Sequence, residues 1–354
     1  MKFKLKQIVT AISLSALLGA NNMAIAEKND VLSSISISGV VQVESRFHQD
    51  YDDNDSSDFV VDEFALGIEA QADKFVKGQM GFLYEEGATD LEIDEAFITL
   101  GNFTEVPFYL AAGQLYVPFG RFESHMISDP LTLEIGEARE KAAQLGFEIE
   151  GLYGSVYIFN GMTQDDADDK IDHYGANLGF AQETEAFSYD VGVSYISDLA
   201  DSDGLSGALE GVAPAGDLSQ LADYDYVNGL GAHLLFNIGP VSVIGEYLTA
   251  LDDFNAEHLA FKGKGAEPKA WNAELGYSFN IVGKETTFAL GYQGTDEAVA
   301  IELPETRLLA GLSMGIYKNT TFSVEYAHDE DYDVSNGGSG EDAQSVIFQL
   351  AVEF

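Results

Sequence analysis

Cysteine is absent from the 354 residues, which removes disulfide frameworks, thiolate metal sites and cysteine nucleophiles together. Basic residues are scarce: 17 Lys and Arg stand against 60 Asp and Glu, a net charge of −43 at pH 7. A chain so negative repels phosphate backbones, so nucleic acid is excluded as a partner. Long apolar runs are lacking as well. Beyond residue 26 nothing approaches the ~20 consecutive apolar residues of a membrane-spanning helix. Enzymatic signatures are missing too: there is no G-x-S-x-G, no H-E-x-x-H and no P-loop. His48, His125, His173, His233, His258 and His328 are scattered without metal-ligand spacing. The expectation is a protein that is not an enzyme and carries no cofactor.

What is present begins with a leader. Lys2, Lys4 and Lys6 precede the apolar stretch Ile8 to Leu18, and Ala24-Ile25-Ala26 supplies a small-x-small cleavage site. Residues 1–26 therefore predict a secretory signal peptide, and residues 27–354 a single mature domain. High acidity often accompanies disorder, but disordered chains are poor in aromatics. Here 23 Phe, 17 Tyr and 36 Gly accompany the acid, a strand-and-turn composition.

Between acidic runs one pattern recurs, a stretch of about ten residues alternating apolar and polar. In the first stretch Ile37, Val41, Val43 and Phe47 share one face, while Ser36, Ser38, Gln42, Glu44 and Arg46 take the other. The same alternation marks Phe64-Leu66-Ile68-Ala70, Tyr174-Ala176-Leu178-Phe180 and Leu308-Ala310-Leu312-Met314. It ends with Val346-Phe348-Leu350-Val352-Phe354. Counted along the chain there are sixteen. Successive side chains of a strand point to opposite faces, so such a strand has oil on one side and water on the other. The connections alternate between short turns, such as Asp73-Lys74, and long acidic loops, such as His48 to Asp58, Gly161 to Lys170 and Ser197 to Ala222. The fold predicted is an all-β transmembrane antiparallel barrel of about sixteen strands in the bacterial outer membrane. A soluble sandwich would not keep sixteen two-sided strands without core-forming runs.

The connection from Val117 to Ala138 differs from the rest. It carries Pro118 and Pro130 with Phe119, Phe122, Met126, Ile127, Leu131, Leu133 and Ile135. A loop in bulk water has little reason to hold so many hydrophobes. It is expected to fold inward and constrict the pore; packing at the rim is the alternative. Strand parity turns Glu44, Glu69, Glu85, Glu95, Glu148, Asp190, Glu246, Glu274 and Glu325 toward the lumen, and among bases Arg46, Lys77 and Arg307. Arg121, Glu123, His125, Asp129, Arg139 and Lys141 lie on or just beyond the constriction segment. Rings of charge select ions, so a small basic cluster at the mouth of an acidic channel is one reading. Simple pairing of these bases with neighbouring carboxylates is the other. Asp52, Asn54, Ser56 and Glu63 fall at EF-hand ligand offsets, yet Ser57 stands where the turn glycine belongs, so no metal site is expected.

The run Gly113-Gln114-Leu115-Tyr116-Val117-Pro118-Phe119-Gly120-Arg121-Phe122-Glu123, continued by Ser124-His125-Met126-Ile127-Ser128-Asp129-Pro130-Leu131, resembles the LbtU-type siderophore porins. The shorter G-Q-x-x-x-P-F-G core also occurs in phosphate-selective and related porins. The resemblance implies a barrel without a plug that takes up an iron-siderophore complex. A general or cation-preferring diffusion porin is the alternative. The partners expected are outer-membrane lipid and lipopolysaccharide and a small solute such as a ferric siderophore, with homotrimer formation left open.

Overall fold

The computed structural model describes residues 34–102, 105–163, 170–221 and 224–354. The signal-peptide reading of residues 1–26 lies outside the described residues. In chain order the strands are β1 (Ile35–Gln49), β2 (Asp55–Asp73), β3 (Val76–Glu85), β4 (Thr89–Gly101), β5 (Phe108–Tyr116) and β6 (Arg139–Ile149). There follow β7 (Leu152–Phe159), β8 (His173–Glu183), β9 (Phe187–Ile196), β10 (Gly229–Ile238) and β11 (Val241–Ala250). A two-residue hairpin, β12 (Ala260–Phe261) and β13 (Lys264–Gly265), sits in a loop apart from the wall. Then come β14 (Lys269–Ile281), β15 (Lys284–Asp296), β16 (Thr306–Tyr317), β17 (Thr320–Glu330) and β18 (Asp342–Glu353).

All but the hairpin form one closed barrel of sixteen antiparallel strands, each pairing with its neighbours in sequence. Closure joins β1 to β18, with Val41 opposite Val352 and Phe47 opposite Val346. Gly39 and Phe354 exchange backbone hydrogen bonds of 2.9 and 3.0 Å at the seam. Closure leaves no strand edge within the wall, the condition for backbone amides to cross hydrocarbon.

Alternation decides which side chains meet lipid. Ile37, Leu145 and Leu275 are more than half exposed within the wall, the position of side chains that face lipid. Aromatic rings collect at two levels on this outer face. Tyr174, Tyr195, Tyr247 and Trp271 lie near the strand ends that feed long loops, and Phe108, Phe180, Tyr189 and Tyr277 near the short turns. Such girdles mark the two interfaces of an outer-membrane barrel, with the long loops external.

Two of the expected loops differ. The connection read as His48 to Asp58 is only a turn, capped by the Asp50 carboxylate on the Asp52 and Asn54 amides at 2.9 and 2.8 Å. Residues 55 to 62 continue β2 upward against β1, which supplies their ladder. Their acidic composition hid the strand because water wets both faces there. The stretch Ser197 to Ala222 contains a helix, Asp203–Glu210, and residues 164–169 of the Gly161–Lys170 connection lie outside the described residues.

Candidate pore constriction

The segment between β5 and β6 has almost no hydrogen bonds within itself before its short helix, α1 (Leu131–Gly136), which begins after Pro130. Its backbone N–H groups need partners elsewhere, since an orphaned buried donor is costly. Inward-pointing carboxylates of the wall provide them. Glu246 on β11 accepts from the Arg121 and Phe122 amides at 2.5 and 3.1 Å and from the Thr132 hydroxyl at 2.8 Å. Glu274 on β14 accepts from the Ser124 hydroxyl and the His125 amide, both at 2.7 Å. Glu325 on β17 accepts from the Ile127 amide, the Ser128 hydroxyl and, at 3.2 Å, the Ser128 amide. Gln293 on β15 receives the Leu131 amide at 3.0 Å, and Ser194 on β9 the hydroxyl contact of the Gly120 amide at 3.1 Å. The loop thus lies inside the barrel, stitched across the wall from β9 to β17.

Strand parity turns these glutamates inward, and inward they are. Their role differs from that of free lumen charges, because Glu246, Glu274 and Glu325 are each more than nine-tenths buried beneath the loop. Apolar contacts complete the seat. Met126 is buried with Ala289, Leu309 and Ala327 of the wall. Glycines make room for it: a Cβ on Gly291 or Gly311 would stand 3.2 Å from its Cε or 3.0 Å from its Sδ. Phe119 and Ile135 join a larger core that continues upward into the external loops through Leu199, Leu205 and Leu209. A second helix, α2 (Asp203–Glu210), rests on α1; the Asp203 amide donates to the Glu137 carbonyl at 2.9 Å.

Across from the loop, the wall of β2 to β4 is also acidic. Asp129 feels Glu134 on its own segment and Glu85, Asp62 and Glu63 opposite, and Glu137 feels Asp129, Asp94 and Glu85. The basic side chains do not gather into one cluster. Arg46 is held by Glu44 at 2.6 Å and by Asp62, and Lys77 by Glu69 at 3.0 Å. Arg139 is held by Glu92 and, at 3.1 Å, by Asp94. Arg307 makes a two-pronged pair with Asp329 at 2.7 and 2.8 Å. Arg121 sits 3.6 Å from both Glu123 and Asp190, and His125 Nε2 lies 2.6 Å from the Ser242 hydroxyl. Lys141 shares the outer face of β6 with Leu145 and Ile149, so it is outside the lumen altogether.

Two further clusters among the described residues have metal-ligand chemistry: His328, Glu330 and Asp342 are largely exposed, while His173, Asp198 and Asp201 are wholly buried, the ligand atoms in each lying within 4.8 Å of one another. In the buried cluster the oxygens are already taken. Asp201 accepts from His173 Nδ1 at 2.6 Å and the Met162 amide at 2.7 Å, and Asp198 from Thr163, Tyr224 and the Val227 amide. The cluster is a lock between two external loops. Nothing in its spacing or its alternation with apolar residues announced it; the Leu199, Leu205 and Leu209 spacing in an acidic stretch was the available signal. The EF-hand offsets likewise dissolve, since Glu63 lies on β2 and accepts from Gln42.

No family model matches the sequence. A UPF0422 protein of Coxiella burnetii is 32% identical over 271 residues, which are 74% of this chain and 57% of that protein. The chain spans 57 to 66% of the length of the UPF0422 relatives it matches. Among solved structures, the outer-membrane channel DcaP of Acinetobacter baumannii superposes with a TM-score of 0.58 at 15% identity, over 90% of this chain and 97% of that one. The trimer form of OmpT, an outer-membrane protein of Vibrio cholerae, gives 0.54 at 10% identity, over 90% and 99%. The chain is therefore a homologue of UPF0422 proteins with the fold of outer-membrane porins and channels.

Proposed function

We propose that this barrel is a passive outer-membrane diffusion channel that prefers cations. The observation that carries the reading is the pairing of carboxylates across the constriction. Asp129, Glu134 and Glu137 on the loop lie across from Glu63 and Glu85 on the wall, while Arg139 and Arg307 are held by other carboxylates and Arg46 by Glu44 and Asp62. Carboxylate oxygens on both sides of a narrow aqueous path offer favourable partners to a passing cation and none to an anion. Three buried glutamates keep the loop in place, so its carboxylates stay beside the path of a solute.

Liposome flux tests it. Vesicles carrying the refolded protein should admit a cationic amino acid faster than a neutral one of similar size, and an anionic one slowest. Equal rates, or faster anion entry, would reject the reading.

Uptake of ferric siderophores is the second reading, supported by the resemblance of the segment from Gly113 to Leu131 to LbtU-type siderophore porins. An anionic ferric complex would have to pass the acidic constriction, so this reading requires a neutral or cationic complex. Block of single-channel current by a ferric siderophore at low concentration would favour it. Homotrimer assembly is part of the same proposal, in line with the trimer form of OmpT.

A further inference from the structure

Lys141 is a cation on the lipid-facing side of a strongly acidic chain. On β6 the inward positions Glu140 and Ala142 are buried, while Lys141, Leu145 and Ile149 are exposed on the opposite face. Among the described residues Lys141 has no ion-pair partner. Beside it an open groove of about 460 Å³ crosses β5, β6 and β7, walled on the outer face by Gln114, Lys141, Ala143, Ile158 and Ile171. Register confirms the arrangement: Gln114 stands opposite Lys141, and Ala143 opposite Ile158. Ile158 and Ile171 are 51 and 64% exposed, so the groove has an apolar floor that none of the described residues covers.

Depth follows from the strand ends. Lys141 and Gln114 are two residues from the external ends of β6 and β5, as Trp271 is from that of β14, and Ile158 is one residue in, as Tyr195 is. The groove therefore lies at the external aromatic level, where lipid headgroups meet the acyl region. A lysine at that depth extends its ammonium to the headgroups and lays its methylenes along apolar surface.

We infer that this groove binds a phosphorylated, multiply acylated lipid of the outer leaflet, lipopolysaccharide, with a lipid phosphate on the Lys141 ammonium and an acyl chain along Ala143, Ile158 and Ile171. Charge complementarity selects the occupant. The net charge of −43 repels an anionic membrane surface, and an ammonium above an apolar floor, with no ion-pair partner among the described residues, is where one phosphate with an attached chain is still attracted. The inference stands apart from the solute the pore conducts.

Delipidated, refolded protein in detergent would be titrated with deep-rough lipopolysaccharide and followed by native mass spectrometry. The wild type and Lys141→Arg should retain the lipid. Lys141→Gln should bind about fivefold more weakly, the loss of one lysine contact to an anionic lipid surface, and Lys141→Glu more weakly still. Lys318→Gln, in a periplasmic turn, should change nothing. Ala143→Trp, which fills the groove and leaves the lysine in place, should also reduce binding. Folding of each variant is read from its heat-dependent gel mobility. Lipid stripped of its phosphates should bind no better to the wild type than to Lys141→Gln. Equal affinity of wild type and Lys141→Glu for the intact lipid would overturn the assignment, as would equal binding of the dephosphorylated lipid. Full retention by Ala143→Trp would overturn the acyl seat.

Discussion

Glu246→Ala should loosen the constriction loop without unfolding the barrel. The carboxylate receives two adjacent backbone amides, of Arg121 and Phe122, and the Thr132 hydroxyl at the first turn of α1. Removing it orphans two amides, each costing ~1–3 kcal/mol when buried. Water in the lumen can reach part of the vacated space, so the low end applies, about 2 kcal/mol for the pair. At ~1.4 kcal/mol per tenfold, the detached state of the loop becomes roughly thirtyfold more populated. The wall ladders are untouched, since Glu246 contributes to them only through its backbone, paired with His233 and Asn272. In planar bilayers the variant should show larger mean conductance and frequent steps between two levels, while gel mobility before and after heating stays that of the wild type. Glu246→Gln, which keeps one accepting oxygen, should fall between. Single-channel traces of Glu246→Ala indistinguishable from wild type would refute the claim that this carboxylate tethers the loop.

Charge removal and pH provide further checks. Asp129→Asn combined with Glu63→Gln removes one carboxylate from each side of the constriction, and should lower the cation-to-anion permeability ratio with little change in conductance. A ratio unaltered by the double change would place the selective charges elsewhere. Asp198 gives a pH dependence: burial, reinforced by repulsion from Asp201, pushes its carboxyl up to about 7, against about 3.9 in an open chain. The folded loop therefore holds this proton more tightly than the opened loop. The resulting stabilisation is complete below about pH 4 and is lost as pH rises through about 7. Proteolytic nicking between Leu199 and Val227 should increase over that range at matched protease activity. Asp198→Asn should flatten the dependence, and a flat wild-type profile would remove the argument.

Much of the wall was legible because lipid imposes a period of two on every strand. Ile37, Leu145 and Leu275 could face nothing but oil, and the same parity turned Glu246, Glu274 and Glu325 inward. The loop was legible from hydrophobes that water would not tolerate, notably Phe119, Met126 and Ile135. Its tethering was not. Parity states that a glutamate points into the lumen, but whether it meets water or the N–H of a distant loop depends on which strands lie under that loop, and sequence separation carries no such information. Arg46 and Arg307 illustrate the same limit: their faces could be assigned, but not their pairing with Asp62 and Asp329. Nearness to Arg139 along the chain groups Lys141 with the constriction segment, but its strand turns it to the lipid face. The alternation with Leu145 and Ile149 on its own strand already pointed outward.

The central claim, a cation-preferring pore narrowed by carboxylates on both sides, is tested most directly by the zero-current potential of the wild-type channel in a salt gradient. With potassium chloride about tenfold more concentrated on one side, the dilute side should become positive at zero current, because potassium crosses ahead of chloride. A potential of the opposite sign, or none, would contradict it.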